Sequence, residues 1–561
     1  MTATTTADPA TLPTAERAAE YRRRGWWRDD TFLDDLRRQA RKRPRKPAIV
    51  GRRGGEARTD VLDYADLSRL TDRFAGALLE LGVSRGGVVA VQLPNRWEMV
   101  PLMFACMEVG AVICPIAPDC QGDELRYRLE LTEAELFVTL SEWEGYPLAE
   151  RVGEWRSELP LEHVVVVDGP VPAGAIDFHD HFVSTHWEER RTGASEGRRL
   201  TPDEPFVVLF TSGTTGFPKG VVHSQNTVHS GVRGYVDTFL LGDDLVAAVT
   251  TPLVHYSGFG QGVLAGVMLG GTITFQDGRD HAGLLDLIEQ YGATLLYGPP
   301  PTLSGLAAVQ RIDPHDVSSL RYTVTGAAPV LQELVDELRD AFGTRTHSVW
   351  GMSEFGPITI SRLDYDQDRS ARSHGRPIDS MEIRIDLCHD PRRRAPVGRL
   401  RVRGASQALG YHKRQDDFDS ELTTDGWFDT GDVAREDGGG GIRVLGRAKD
   451  AILRDGEVAP MAELEALLSR HPKVTEAALV GPAGHFDDPI VAFVVPRGDA
   501  LPTLEEIHAH LLGAGQDARF LPERVKAVEA LPKTLTGKVR KAELRQCLTA
   551  GRPPSPDPSR P

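Results

Sequence analysis

Between residues 67 and 325 the chain alternates strand-sized apolar runs with helix-spaced segments, and this alternation limits the fold more than any other property of the sequence. Residues 67–81 carry helical spacing, 88–93 read as a strand, 96–109 as a helix and 111–116 as a strand. Further strand-sized runs follow at 164–167, 206–210, 246–250, 272–275, 294–297 and 322–325. Strands separated by helices predict parallel sheets covered on both faces. The texture changes from Glu382, where 382–385, 399–403 and 442–445 alternate as short strands, and a small antiparallel subdomain is expected. Past a boundary at 446–450 come a helix over 462–470, strands over 477–480 and 490–495, and a helix over 504–512, the pattern of a compact α+β unit. The predicted class is therefore α/β. A large N-terminal domain (16–448) of parallel-rich sheets covered by helices, plus the antiparallel subdomain, precedes a small α+β C-terminal domain (449–545). Residues 1–15 and the Pro/Ser-rich 546–561 are expected to be disordered.

A length of 561 residues exceeds one typical core. Apolar content of 40% and charged content of 26% describe a soluble globular protein, with no run long enough to span a bilayer. The first fifteen residues carry no basic and then apolar leader. Five cysteines, Cys106, Cys114, Cys120, Cys388 and Cys547, form no CxxC pair, so reduced structural thiols and a cytoplasmic location are expected. A net charge of −16 argues against nucleic-acid and anionic-membrane partners.

Within this frame, Thr211-Ser212-Gly213-Thr214-Thr215-Gly216-Phe217-Pro218-Lys219-Gly220 is suited to hold a polyphosphate. Its three glycines let backbone N–H groups approach anionic oxygens, its four hydroxyls add donors, and Lys219 supplies a mobile charge. A strand over 206–210 precedes it, and a helix is expected from about Val221. The spacing is not that of P-loop NTPases, because no Gly-Lys-Ser/Thr ends the loop. Downstream, Trp350-Gly351-Met352-Ser353-Glu354 offers an aromatic face, a hydroxyl and a carboxylate in one turn, suited to stacking on a base and holding Mg²⁺. Trp427-Phe428-Asp429-Thr430-Gly431-Asp432 places a carboxylate behind a tight turn, where Asp432 would accept two ribose hydroxyls. Then come Gly446-Arg447-Ala448-Lys449-Asp450, Gly456-Glu457-Val458-Ala459-Pro460 and Pro532-Lys533-Thr534-Leu535-Thr536-Gly537-Lys538. Taken singly, each reads as a turn, a core aromatic or a solvated lysine. Their joint order does not.

The set resembles the adenylate-forming superfamily of acyl-CoA synthetases, peptide-synthetase adenylation domains and luciferases, from about Thr31 to Leu544. The resemblance implies a fold whose small C-terminal domain is mobile, and an ATP-dependent ligase working through an acyl-adenylate. It implies that Thr211, Ser212, Gly213, Thr214, Thr215 and Lys219 hold the ATP phosphates and that Gly326, Ala327 and Ala328 line the adenine site. Trp350 stands where a base-stacking tyrosine is usual, Ser353 at the α-phosphate contact and Glu354 at Mg²⁺. Asp432 and Arg447 match the ribose ligands, Lys449 the hinge and Lys538 the lysine of the adenylation step. Implied cofactors are ATP, Mg²⁺ and coenzyme A.

The segment Pro252-Leu253-Val254-His255-Tyr256-Ser257-Gly258-Phe259 resembles the wall of the acid pocket, with His255 at a gate position that catalysis would use. Ser257, Gly258, Gly326, Gly351 and Met352 complete the expected pocket. No acidic residue occurs between Thr250 and Thr274, so no partner awaits a substrate ammonium, and an amino acid is disfavoured. The N-terminal Tyr21-Arg22-Arg23-Arg24-Gly25-Trp26-Trp27 resembles aryl- and alicyclic-acid ligases. Two positions depart from the family: Arg399 stands where glutamate is usual, and Asp487-Asp488-Pro489 shortens a loop of the small domain. The expected partner is a small carboxylic acid, with coenzyme A as acceptor. The alternatives are a carrier-protein phosphopantetheine, a diazotase joining activated nitrite to an aryl amine, and an inert nucleotide-binding protein.

Overall fold

The computed structural model describes residues 13–54, 58–190, 193, 195–211, 218–328, 330–366, 368–387, 397–455, 457–481, 488–498, 500–533 and 539–550. Among these, two large sheets form the N-terminal part. One has nine strands, and its central run is parallel, from Arg345–Met352 through Tyr322–Gly326, Leu295–Gly298, Val246–Val249 and Thr272–Gln276 to Pro47–Arg53. The other has eight strands, with Pro205–Phe210, Val112–Ile116, Val88–Gln92, Leu136–Thr139 and His163–Val166 parallel at its centre. One continuous apolar core lies between the sheets, with Phe74, Phe104, Phe206, Tyr235 and Phe259 all essentially inaccessible. The α/β reading of the alternating pattern holds, because both faces of each parallel strand are covered and the strands are apolar throughout.

The antiparallel subdomain is a four-stranded sheet of Met381–Leu387, Val397–Gly404, Phe428–Glu436 and Ile442–Arg447. The C-terminal unit has its own core around Leu464, Leu468, Leu479, Ala492 and Ile507, built on a sheet of Val474–Val480, Val491–Pro496 and Arg524–Ala527. Ion pairs from Arg443 to Glu463 and from Arg470 to Glu333, both 3.5 Å, reach across to it.

Two local expectations are corrected. The helix placed from Val221 begins only at Gln225: Gly220–Ser224 is a strand, antiparallel to Pro205–Phe210, with Leu209 opposite Val221 and Phe210 opposite Gly220. The β-branched pair Val221-Val222 packs on the sheet, and the helix starts where Ser224 and Thr227 form a reciprocal cap. At the carboxyl end, the helix Lys541–Ala550 carries the chain past the 545 boundary, and at the other end Ala15 already opens the helix Ala15–Arg23. No helix among the described residues is long and apolar enough to cross a membrane. Cys106, Cys114 and Cys120 are buried free thiols and Cys547 is half-buried, while Cys388 lies outside the described residues.

Candidate active site

The hairpin Pro205–Phe210/Gly220–Ser224 brackets the phosphate loop. The Thr211 N–H donates to the Lys219 carbonyl at 2.9 Å, and the Lys219 N–H to the Thr211 hydroxyl at 3.4 Å, so the loop is closed at its neck. Its apex, including Ser212, Gly213, Thr214 and Thr215, lies outside the described residues. The strand Gly220–Ser224 follows directly, so the segment joins two antiparallel strands. Lys219 Nζ sits 4.6 Å from the centroid of the Tyr411 ring, a cation–π contact.

Tyr411 reaches this place because Gly410–Tyr411 adds a short strand to the hairpin edge, with Tyr411 opposite Val221. Its hydroxyl donates to Glu354 Oε1 at 2.7 Å. Glu354 is 6% exposed, and burial pushes its carboxyl above the ordinary range against the Tyr411 bond and the charges of Arg447 and Lys219. The turn that carries Glu354 is fixed by His223, whose Nε2 lies 2.7 Å from the Ser353 carbonyl while Nδ1 lies 2.9 Å from the Thr227 hydroxyl. A carbonyl only accepts, so Nε2 bears the proton. Burial holds His223 near pKa 4, and the ring stays neutral. The Glu354 carbonyl in turn accepts from the Ala408 N–H at 2.8 Å. One connected group therefore ties the phosphate loop to the Ser353-Glu354 turn. Neither His223 nor Tyr411 stood out in sequence, because both act through tertiary contacts that no spacing encodes.

Asp432 and Arg447 face each other across paired strands, 3.3 Å apart, and Arg447 Nη1 also donates to the Thr430 carbonyl at 2.8 Å. The expected tight turn before Asp432 is instead a strand, Phe428–Glu436, irregular at Gly431, where φ is +75°. Gly326 pairs with Val349, the residue before Trp350, and Ala327 and Ala328 follow it out of the strand. Ala327 is held at φ +66°, and a Cβ on Gly326 would stand 2.4 Å from the Val349 carbonyl oxygen. Trp350 is half-buried, packed beside Leu400, Ala434 and Ile442. Gly351 is exposed, and Met352 and Ser353 are half-buried next to it. Lys449 lies in a single turn, Ala448–Asp450, where burial lowers its pKa. Lys538 lies outside the described residues, as does Gly456.

His255 is half-buried on the loop ahead of the π-helical stretch Ser257–Leu264, and burial, then the Arg128 charge, keeps it neutral. Asn95 grips this loop with both ends of its amide: Nδ2 donates to the Thr251 carbonyl at 3.1 Å and Oδ1 accepts from the Leu253 N–H at 2.8 Å. Tyr256 fills a seat made by three glycines. A Cβ on Gly356, Gly231 or Gly260 would meet its ring or hydroxyl at 2.2, 2.8 or 3.1 Å. Gly258 presses on the Pro252 carbonyl oxygen, which a Cβ would approach to 2.3 Å.

Comparison with known proteins identifies the family. The family model for AMP-binding enzymes covers residues 36–412, and that for their C-terminal domain covers 463–538. Indoleacetate–CoA ligase of Aromatoleum aromaticum is 32% identical over 87% of this chain and 93% of its own. The 2,3-dihydroxybenzoate-AMP ligase of Bacillus subtilis is 29% identical over 95% of this chain and 96% of its own. The crystal structure of the anthranilate CoA ligase AuaEII with anthranoyl-AMP superposes with a TM-score of 0.77 over 93% of this chain and 98% of that one, at 23% identity. The chain belongs to the AMP-binding enzyme family, the adenylate-forming superfamily, and is an AMP-forming acid–thiol ligase.

Proposed function

We propose that this protein activates an aryl or alicyclic carboxylic acid with ATP and transfers the acyl group to the thiol of coenzyme A. A carboxylate oxygen attacks the α-phosphorus of ATP, the bond to the pyrophosphate oxygen breaks, and an acyl-adenylate forms. The thiol, losing its proton, then displaces AMP from the acyl carbon. Both reactants of the first step are anions, so charge neutralisation and alignment make up most of the barrier.

The observation that carries the reading is the unbroken contact series Lys219–Tyr411–Glu354, with Ser353 anchored by His223. It sets a cation, a buried carboxylate and a hydroxyl around the mouth of the phosphate loop. In this reading Thr211 and Lys219, with the loop apex, hold phosphate oxygens, and Ser353 reaches the α-phosphate. Gly326, Ala327, Ala328 and Trp350 take the base, and Asp432 and Arg447 take the ribose. Glu354 fits Mg²⁺: Tyr411 occupies Oε1, which leaves Oε2 as a hard oxygen ligand, and Mg²⁺ is commonly held by one or two carboxylates with phosphate and water completing its shell. Bound there, Mg²⁺ would supply positive charge against the phosphates. The absence of acidic residues between Thr250 and Thr274 supports an acid without an ammonium, and relatives named for indoleacetate and 2,3-dihydroxybenzoate support an aryl acid.

Lys538 would bridge the attacking carboxylate and the α-phosphate, on a domain that turns about Lys449 to present the Gly456–Pro460 loop for thiol transfer. ATP–pyrophosphate exchange over a panel of acids, followed by thioester formation with coenzyme A or a holo carrier protein, tests the proposal. Lys538→Ala is expected to abolish exchange and to spare thioester formation from supplied acyl-adenylate. Equal loss in both steps counts against it.

A further inference from the structure

The helix Gly122–Thr132 buries one stripe, Leu125, Arg128, Leu129 and Thr132, and its leucines pack on the eight-stranded sheet beside Phe137, Phe210 and Val222. An arginine is out of place in such a stripe. Arg128 is 8% exposed, and its Nε is shielded from solvent without a hydrogen-bond partner among the described residues. Its Nη2 pairs with Glu124 one turn earlier, and its guanidinium carbon lies over the Phe210 ring, 4.9 Å from the centroid.

Phe210 ends the strand that enters the phosphate loop, and Gly220 begins the strand that leaves it. The two are opposite in register, and a Cβ on Gly220 would stand 3.6 Å from Phe210 Cε1. The Phe210 ring therefore leans toward Gly220 across the neck of the loop. The far end of the helix reaches the exit side as well. Glu133, the residue after the helix, pairs with Lys413 Nζ at 2.8 Å, and the neighbouring His412 N–H donates to the Gly220 carbonyl at 2.7 Å. One helix thus bears on both sides of the neck. The Arg128 charge also reaches His255, where it adds to the larger effect of burial in lowering the imidazole pKa.

We infer that Arg128 is a positioning residue for the phosphate loop: it fixes the Phe210 ring, and through it the Thr211 end of the neck. A cation over an aromatic face is attracted more strongly when the pair is shielded from water, and the forked guanidinium serves Glu124 and the ring together. Arg128 touches no reacting atom; its effect passes through Phe210. A shift of the neck would move the loop's donors relative to the phosphates, and misplaced positioning groups lose binding and rate. The inference rests on the reading above that Thr211, Lys219 and the loop apex hold the ATP phosphates.

The test is ATP–pyrophosphate exchange by the full chain, with Mg–ATP and an acid that supports exchange varied in turn. Arg128→Gln is expected to raise KM for Mg–ATP about tenfold and to leave KM for the acid within about twofold. Arg128→Met, which fills much of the same space without the charge, is expected to match it. Phe210→Leu is expected to do the same, and the double variant to lose no more than either single one, because both changes remove one contact. Partial unfolding reduces the amount of active enzyme and leaves both KM values alone, so the split between them isolates positioning. A wild-type KM for Mg–ATP in the Arg128 variants, an equal rise in both KM values, or additive losses would overturn this inference. Lys219→Ala separates its failure from that of the loop reading. If Lys219→Ala raises KM for Mg–ATP and the Arg128 variants do not, this inference alone falls. If Lys219→Ala also keeps the wild-type KM, or the enzyme is silent on every acid, the reading beneath it falls and takes this inference with it.

Discussion

His223 Nε2 donates to the Ser353 carbonyl across 2.7 Å, joining the strand that leaves the phosphate loop to the turn that presents Glu354. The bond sets the distance between two parts of the proposed nucleotide site that are far apart in sequence. It is made by a neutral imidazole in a fully buried position, so it has no competing water. Replacing His223 by Ala leaves the Ser353 carbonyl unpaired and frees the turn. Adenylation kcat is expected to fall by about a hundredfold, the scale of a small misplacement of reacting groups, with the melting curve still cooperative. Pyrophosphate exchange checks it.

Tyr411→Phe removes the hydroxyl that holds Glu354 Oε1. The carboxylate keeps its burial and loses a charge-assisted partner, a loss of about 1.5–3 kcal/mol. The expected readout is a rise in KM for Mg–ATP of about tenfold or more, with a smaller change in KM for the acid. An unchanged KM for Mg–ATP would show that Tyr411 does not position Glu354.

Asn95 bears on the proposed acid pocket through the backbone of its wall. Its amide clamps the backbone at Thr251 and Leu253, just ahead of His255. Asn95→Ala is expected to raise KM for the acid while leaving KM for ATP within about twofold, since two backbone bonds worth roughly 0.5–1.5 kcal/mol each are lost on one side of the site only. Initial rates with each substrate varied in turn decide it.

Gly356 combines a left-handed backbone, φ +67°, with a Cβ position 2.2 Å from Tyr256 Cζ. Gly356→Ala is expected to destabilise the fold by about 1–3 kcal/mol through strain and collision. Tyr256→Ala in the same chain removes the collision and leaves the strain. The double variant should therefore lose less than the sum of the two single variants, as measured by chemical denaturation.

The buried histidines set an acid limit on stability. Burial depresses the pKa of His223, His347, His374 and His412 to about 4 and that of His229 to about 3, from 6.5. Below 6.5 the unfolded chain takes up protons that these folded sites refuse, so stability falls as pH drops from 6.5 toward 4. Glu98 acts in the opposite sense: burial raises its folded pKa to about 7, which favours the fold as pH drops below 7. Burial raises Glu354, Asp35, Asp72 and Asp119 in the same sense, but with His181, His255 and His471 also lowered the histidines outnumber these carboxyls. The melting temperature is expected to decline steadily between pH 6.5 and 4, and a flat or rising profile would contradict the assignment.

Much of the architecture was readable without coordinates. Apolar strand-sized runs separated by helix-spaced segments leave parallel sheets with covered faces as the main way to bury both sides of each strand, and the shorter alternation after Glu382 marks strands with one wet face. The family was also legible, because its motifs place particular residue types within short stretches. The strand over Gly220–Ser224 was not, since its state depends on a neighbour, Pro205–Phe210, that pairs with it and overrides local preference. His223, Tyr411 and Asn95 were equally hidden. Each acts across the fold on a partner remote in sequence, and hydrogen bonds of that kind leave no period or spacing behind. The chain alone determined what chemistry could be assembled. Only the packing of two sheets against each other decided which side chains hold that chemistry in place.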